Sequence, residues 1–153
     1  MNAVAVSGAF FESGRTLIAT LDKGSDLLEE IERLVRENGI AFCALTGIGS
    51  LAESRVTYYD QVARRDREIS FERPMMLVTL SGTILRSDGE VHSHCHLVLG
   101  DSLGMAFGGD LSRGCIVYSC ELTLMELVGP PAGRALDEAT GLSHFVFGKA
   151  DGS

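Results

Sequence analysis

The stretch MMLVTLSGTILRSDGEVHSHCHLVLG, residues 75–100, carries the reading of the fold. Met75 to Leu80 is an apolar run of strand length, and Ser81-Gly82-Thr83 marks a bulge or bend before the strand continues to Leu85. Ser87-Asp88-Gly89 is a hairpin signal, because a tight primed turn needs central residues that tolerate positive φ. Val91 to Leu99 then returns as the next strand. The region predicts an antiparallel pair around which the remaining elements must pack.

Upstream, Thr16 to Leu21 predicts a first strand. The clearest helix follows. Ser25 or Asp26 can cap it, with Asp26 and Glu29 forming a capping-box-like pair. Leu27, Leu28, Ile31, Leu34 and Val35 make one apolar face, and acids crowd the first turns, where they suit the helix dipole. Asn38-Gly39 ends it. Ile40 to Leu45 predicts a buried strand that Gly47-Ile48-Gly49-Ser50 breaks. Arg55 to Tyr59 predicts another, and Gln61 to Arg67 a charged connector. Downstream, Met105 to Phe107 reads as a short strand ended by Gly108-Gly109, and Cys115 to Val128 as a long apolar strand stopped by Pro130-Pro131. In the tail, Phe145, Val146 and Phe147 are expected to pack a last short strand, with Lys149 to Ser153 frayed. One helix with about seven strands gives an α+β fold, a mostly antiparallel curled sheet or partial barrel. A single domain is expected over 1–153, with its core at about 16–128 and an extension at 129–153.

Composition narrows the function. With 21 acidic and 13 basic residues the formal charge is −8. The one basic cluster, Arg64, Arg65 and Arg67, is interleaved with Asp66 and Glu68. A phosphate backbone would be repelled at long range, so direct DNA binding is expected to be weak. No run of 18 apolar residues predicts a membrane span, and Met1 to Glu12 lacks the basic-then-apolar order of a secretory leader. The four cysteines, at 43, 95, 115 and 120, form no Cys-x-x-Cys pair. A cytoplasmic protein with reduced thiols is the expectation.

Val91-His92-Ser93-His94-Cys95-His96-Leu97 holds three of the four histidines. Alternate residues of a strand share a face, so His92, His94 and His96 point one way and Val91, Ser93, Cys95 and Leu97 the other. Imidazoles two residues apart, roughly 6.5–7 Å along the strand, can converge on one cation if a third ligand arrives from elsewhere. Two readings fit: a site for metal or proton chemistry, and a solvated or packed strand face. Asp110, after the double glycine, brings a carboxylate near the histidines if its strand pairs with theirs; an ordinary turn with a capping Asp is the alternative. Glu121 interrupts an apolar strand, either as a buried acid with a raised pKa or as an outward-facing side chain. Gly47 to Ser50 lacks the Lys-Ser/Thr and following helix of a phosphate loop.

Taken in order, these segments resemble the PPC (plant and prokaryote conserved) domain family from about Thr16 to Leu127. The resemblance rests on Ala-Leu-Thr-Gly-Ile-Gly-Ser-Leu at 44–51, Val-Thr-Tyr-Tyr-Asp at 56–60, Leu-Ser-Gly-Thr-Ile at 80–84, His-Cys-His-Leu-Val-Leu-Gly-Asp at 94–101, Gly-Gly-Asp-Leu at 108–111 and Cys-Glu-Leu-Thr-Leu at 120–124. It implies an α+β subunit, a homotrimer, and a metal or small-ligand site where the family's His-x-His and Gly-Gly-His-Leu motifs fall. Those positions are His94, His96 and Asp110, the last an Asp in place of the family's His; His92 is a further candidate ligand. Zinc is the metal implied, with Glu121 as a possible catalytic acid or base in any metal-assisted reaction. The alternative is a non-catalytic, DNA-associated regulatory or assembly module. The plant AT-hook is absent, and the plant partner motif Gly-Arg-Phe-Glu-Ile-Leu falls on Arg73 to Val78 without its charged pair. The fold is also similar to that of acetolactate decarboxylase, at the level of fold only.

Overall fold

The computed structural model describes residues 8–148, so the expected fraying of Lys149 to Ser153 lies outside the described residues. The chain is α+β: strands β1 (Glu12–Leu21), β2 (Phe42–Asp60), β3 (Arg65–Phe71), β4 (Met75–Ser87), β5 (Glu90–Gly100), β6 (Ala106–Leu111) and β7 (Ile116–Val128), one helix α1 (Leu27–Glu37), and a C-terminal pair, β8 (Ala132–Asp137) and β9 (Leu142–Phe147). The main sheet runs β1-β7-β2-β4-β5-β6, with β3 paired to β2, and it curls until β6 also meets β2 at Val56 and Thr57. Every named pairing is antiparallel. No helix among the described residues is long and apolar enough to cross a membrane.

The β4–β5 hairpin forms as its sequence dictates. Asp88 and Gly89 both take positive φ, 52° and 80°, and Ser87 faces Glu90 across the turn. That register pairs Thr83 with His94 and Ser81 with His96. The helix also starts where its cap predicts. Asp26 accepts a hydrogen bond from the Glu29 amide at 3.1 Å, and its second oxygen accepts one from the Gly114 amide at 2.7 Å. Leu27, Ile31 and Val35 are buried in the same apolar cluster as Leu45, Leu80, Leu97 and Leu122 of the sheet. Burying such a side chain contributes about 1.5–3 kcal/mol relative to exposure.

Three expectations are corrected. Gly47 to Ser50 does not break β2, which runs unbroken for 19 residues with a register shift between Gly47 and Gly49. The glycines are there because β7 passes too close for side chains: a Cβ on Gly49 would sit 2.1 Å from the Ser119 carbonyl oxygen. Arg65 to Arg67 is not connector but the start of β3, an exposed strand where charged side chains reach water. Gly108-Gly109 does not end β6, which continues to Leu111. A Cβ at Gly109 would lie 2.7 Å from the Thr57 carbonyl oxygen, so glycine lets β6 close onto β2.

The tail forms a hairpin rather than one short strand. Phe145 and Phe147 of β9 pack against Phe42 and Phe11, and the Tyr59 hydroxyl donates to the Thr140 carbonyl at 2.9 Å. All four cysteines are buried free thiols. Burial pushes the Cys43 and Cys120 thiols up to about 11 and Cys95 to about 12, so they act as small apolar residues rather than nucleophiles.

Candidate metal centre

Strand alternation sets up the site. Cys95 and Leu97 point into the core while His92, His94 and His96 are exposed on the opposite face, as the period of two requires. The His94 and His96 rings stand edge to face with centroids 5.1 Å apart. The third group comes from β6, where Asp110 pairs with His96 on one side and Thr57 on the other. Among the described residues, His94, His96 and Asp110 are the group whose nitrogen and oxygen ligand atoms all lie within 4.8 Å of one another.

The Asp110 carboxylate tests whether a cation fits. Its Oδ1 is buried and lies 2.7 Å from His96 Nε2. With His94 also within 4.8 Å, the three groups are close enough for one cation to bridge them. The donor set, two imidazoles and one carboxylate, suits zinc with a fourth position open. Burial lowers the pKa of His94, Arg134 and His96 lower it further, and Asp110 opposes them. The neutral imidazole that results is the form that ligates metal.

His92 shares the face and lines the same cavity, but it is not in the converging group. Glu121 is exposed on β7 between Thr20 and Ile48. In the order β7-β2-β4-β5 it stands three strand spacings from the histidines, about 14 Å across the sheet.

Two residues of the tail join the site without having been singled out by sequence reasoning. A cavity of about 620 Å³ beside the cluster is lined by His92, His94 and Asp110 together with Arg134 of β8 and His144 of β9. The Arg134 guanidinium lies 4.2 Å from the Phe145 ring centroid. It donates to Thr83 Oγ1 and to the Ser143 carbonyl, both at 3.3 Å, while its buried Nε has no partner. Neither residue carries a local signal; only the docking of the hairpin brings them in.

The model of the Plants and Prokaryotes Conserved (PCC) domain family matches residues 8–128. Among solved structures, a metal-containing protein of Archaeoglobus fulgidus is 31% identical with a TM-score of 0.84, covering 94% of this chain and 100% of that one. A plant- and prokaryote-conserved protein of Pyrococcus horikoshii is 28% identical with a TM-score of 0.85, covering 95% and 100%. A curated relative, the bifunctional protein GlmU of a Synechococcus strain, is 35% identical over 120 residues, which cover 77% of this chain and 18% of that protein. The chain thus spans under a fifth of that relative's length. The likeness to acetolactate decarboxylase is one of fold alone: the Bacillus subtilis enzyme matches at 16% identity and a TM-score of 0.53, over 76% of this chain and 53% of that one.

Proposed function

We propose, on the premise that this chain belongs to the Plants and Prokaryotes Conserved domain family, that it is a divalent-metal-binding protein with His94, His96 and Asp110 as the ligands. The observation that carries the reading is the convergence of His94, His96 and Asp110, whose ligand atoms all lie within 4.8 Å of one another. The Archaeoglobus fulgidus relative, described as metal-containing, supports it. Zinc is the cation the donor set favours. When bound, it would supply Lewis acidity at an open position. The chain's own part is to hold two imidazoles and one carboxylate on two paired strands, so that little ordering is needed on binding. Asp in place of the family's His adds a negative charge to the site and softens its preference among divalent ions.

The test is metal analysis of protein purified without a histidine tag and saturated with zinc. The expected result is one zinc per chain in the wild type and loss of at least nine-tenths of it in the double variant His94→Ala, His96→Ala. Equal, low zinc in both would remove the metal reading.

The assembly belongs to the same reading: a homotrimer. Its support is a set of exposed apolar side chains on β1, β2 and β4 of the same sheet. Ile18, Ile48 and Met76 are 75%, 57% and 60% exposed in the single chain, and Glu121 stands among the first two. Exposed apolar side chains on one sheet mark a surface that a partner covers. Light scattering at micromolar concentration is expected to give the mass of three 16.4 kDa chains; the mass of one would contradict the assembly. Strong direct DNA binding is no part of the reading, since a net charge of −8 repels a phosphate backbone at long range.

A further inference from the structure

Arg134 is a cation without a counter-ion. Arg15, Arg33, Arg36, Arg55, Arg67 and Arg113 each meet a carboxylate within 4.0 Å, whereas exposed Arg64, Arg65 and Arg73 and half-buried Arg86 meet none among the described residues. Arg134 meets none among the described residues, although it is half-buried. A guanidinium offers five N–H donors. Two are used, each at 3.3 Å and each on a neutral oxygen, which leaves three. Burial without an opposing charge disfavours the cation, and Arg134 correspondingly has its pKa lowered, with burial as the cause. The Phe145 ring, Thr83 and Ser143 nevertheless fix it in place.

Its position gives this a use. Thr83, which accepts from Arg134, is the cross-strand partner of the metal ligand His94. Such partners have Cβ atoms about 4.5–5.5 Å apart on one face of the sheet. Arg134, His94 and Asp110 line one cavity of about 620 Å³. The other acids of that cavity are spoken for or solvated: Glu32 pairs with Arg113 and Arg36, and Asp66 is exposed on β3. A divalent ion held by the single charge of Asp110 would leave the cavity positive, and Arg134 adds to that.

We propose that this cavity binds a small carboxylate, held between a metal at His94, His96 and Asp110 and the guanidinium of Arg134. The proposal rests on the metal reading above and names the ligand class for that site. An anion is what the arrangement lacks, and a carboxylate is planar and matches a guanidinium edge while leaving an oxygen for a metal. Thr83 acts as a positioning residue, holding Arg134 in the cavity that His94 also lines. Arg134 itself lies beyond residue 128, outside the stretch that the family model matches.

The experiment uses the whole chain loaded with cobalt(II), whose visible absorption reports its ligands. Metal content is measured first. The protein is then titrated with propionate and, separately, with its uncharged counterpart propionamide. Propionate is expected to give a saturable change at millimolar concentration and propionamide none over the same range. Arg134→Gln is expected to weaken propionate binding about ten-fold or more, as loss of a charged hydrogen-bonding partner does, with cobalt stoichiometry unchanged. Arg134→Lys and Thr83→Val are expected to fall between it and the wild type. If Arg134→Gln fails to fold, Arg134→Lys and the acid–amide pair on the wild type still decide. Full cobalt loading with no response to propionate, equal responses to acid and amide, or wild-type affinity in the Arg134 variants would overturn the proposal and leave the metal reading standing. Failure to load cobalt at all would overturn both.

Discussion

Replacing Gly82 by alanine is expected to destabilise the protein by about 3 kcal/mol, the upper end for overpacking, and to weaken metal binding at the same time. Gly82 of β4 faces Cys95 of β5. A Cβ at Gly82 would lie 2.1 Å from the His94 carbonyl oxygen, 2.6 Å from Cys95 Cα and 2.9 Å from Cys95 Sγ. Two of those three atoms are backbone, so no rotamer change relieves the clash and β5 itself must move. For a chain of this size the loss corresponds to a fall of roughly 6–12 °C in Tm. The displaced segment carries both candidate histidine ligands, while Asp110 is held from the other side by β2. The triad therefore opens, and zinc affinity is expected to fall roughly 10–100-fold, the range seen when a ligand's support is lost. Thermal melting and a competitive zinc titration check the two effects. An alanine variant that melts and binds zinc as the wild type does would show that β4 and β5 are not this close.

Leu97→Ala is expected to separate the two effects. Leu97 lies next to His96 in the chain but is 1% exposed and faces the core, where it joins Leu45, Leu80 and Leu124. Truncating a leucine at such a site costs about 2–5 kcal/mol, set by how far the cavity collapses. His94 and His96 project from the opposite face, and the backbone pairing of Leu97 with Leu80 and Gly109 does not depend on its side chain. The variant is expected to melt well below the wild type in the apo form and still bind one zinc per chain at low temperature. Stability lost together with zinc stoichiometry would mean that the core positions the triad more tightly than strand pairing alone.

Where a signal is local, the sequence was enough. Asp26 before Leu27 starts the helix because its carboxylate reaches an amide three residues on. Asp88-Gly89 turns the chain because both residues take positive φ. The alternation from Val91 to Leu97 puts three imidazoles on one face before any fold is known. Readings failed where the reason for a residue lies across the molecule. Gly49 resembles a chain break, yet it is a glycine because of the backbone at Ser119, 70 residues away in sequence. Gly109 is a glycine because of Thr57, and that contact is also what makes Asp110 a strand residue instead of a turn cap. Arg65 to Phe71 was obscured because an exposed strand tolerates charge on either face. Arg134 and His144 sit in a tail with weak periodicity, and nothing near them in the chain points to the histidines on β5. Of the candidate ligands, His94, His96 and Asp110 come together and His92 stands beside them.

The order β1-β7-β2 has a consequence for how the protein comes into being. Strand β1 has its partner in residues 116–128, so Glu12–Leu21 must wait until β7 has been synthesised. Nascent chains that end before β7 carry two seams of unpaired backbone, one on β1 and one on β2, and these are hazards for pairing with other chains. Maturation is therefore a late, concerted closure around the last long strand, and the interval before it is when a chaperone would matter most.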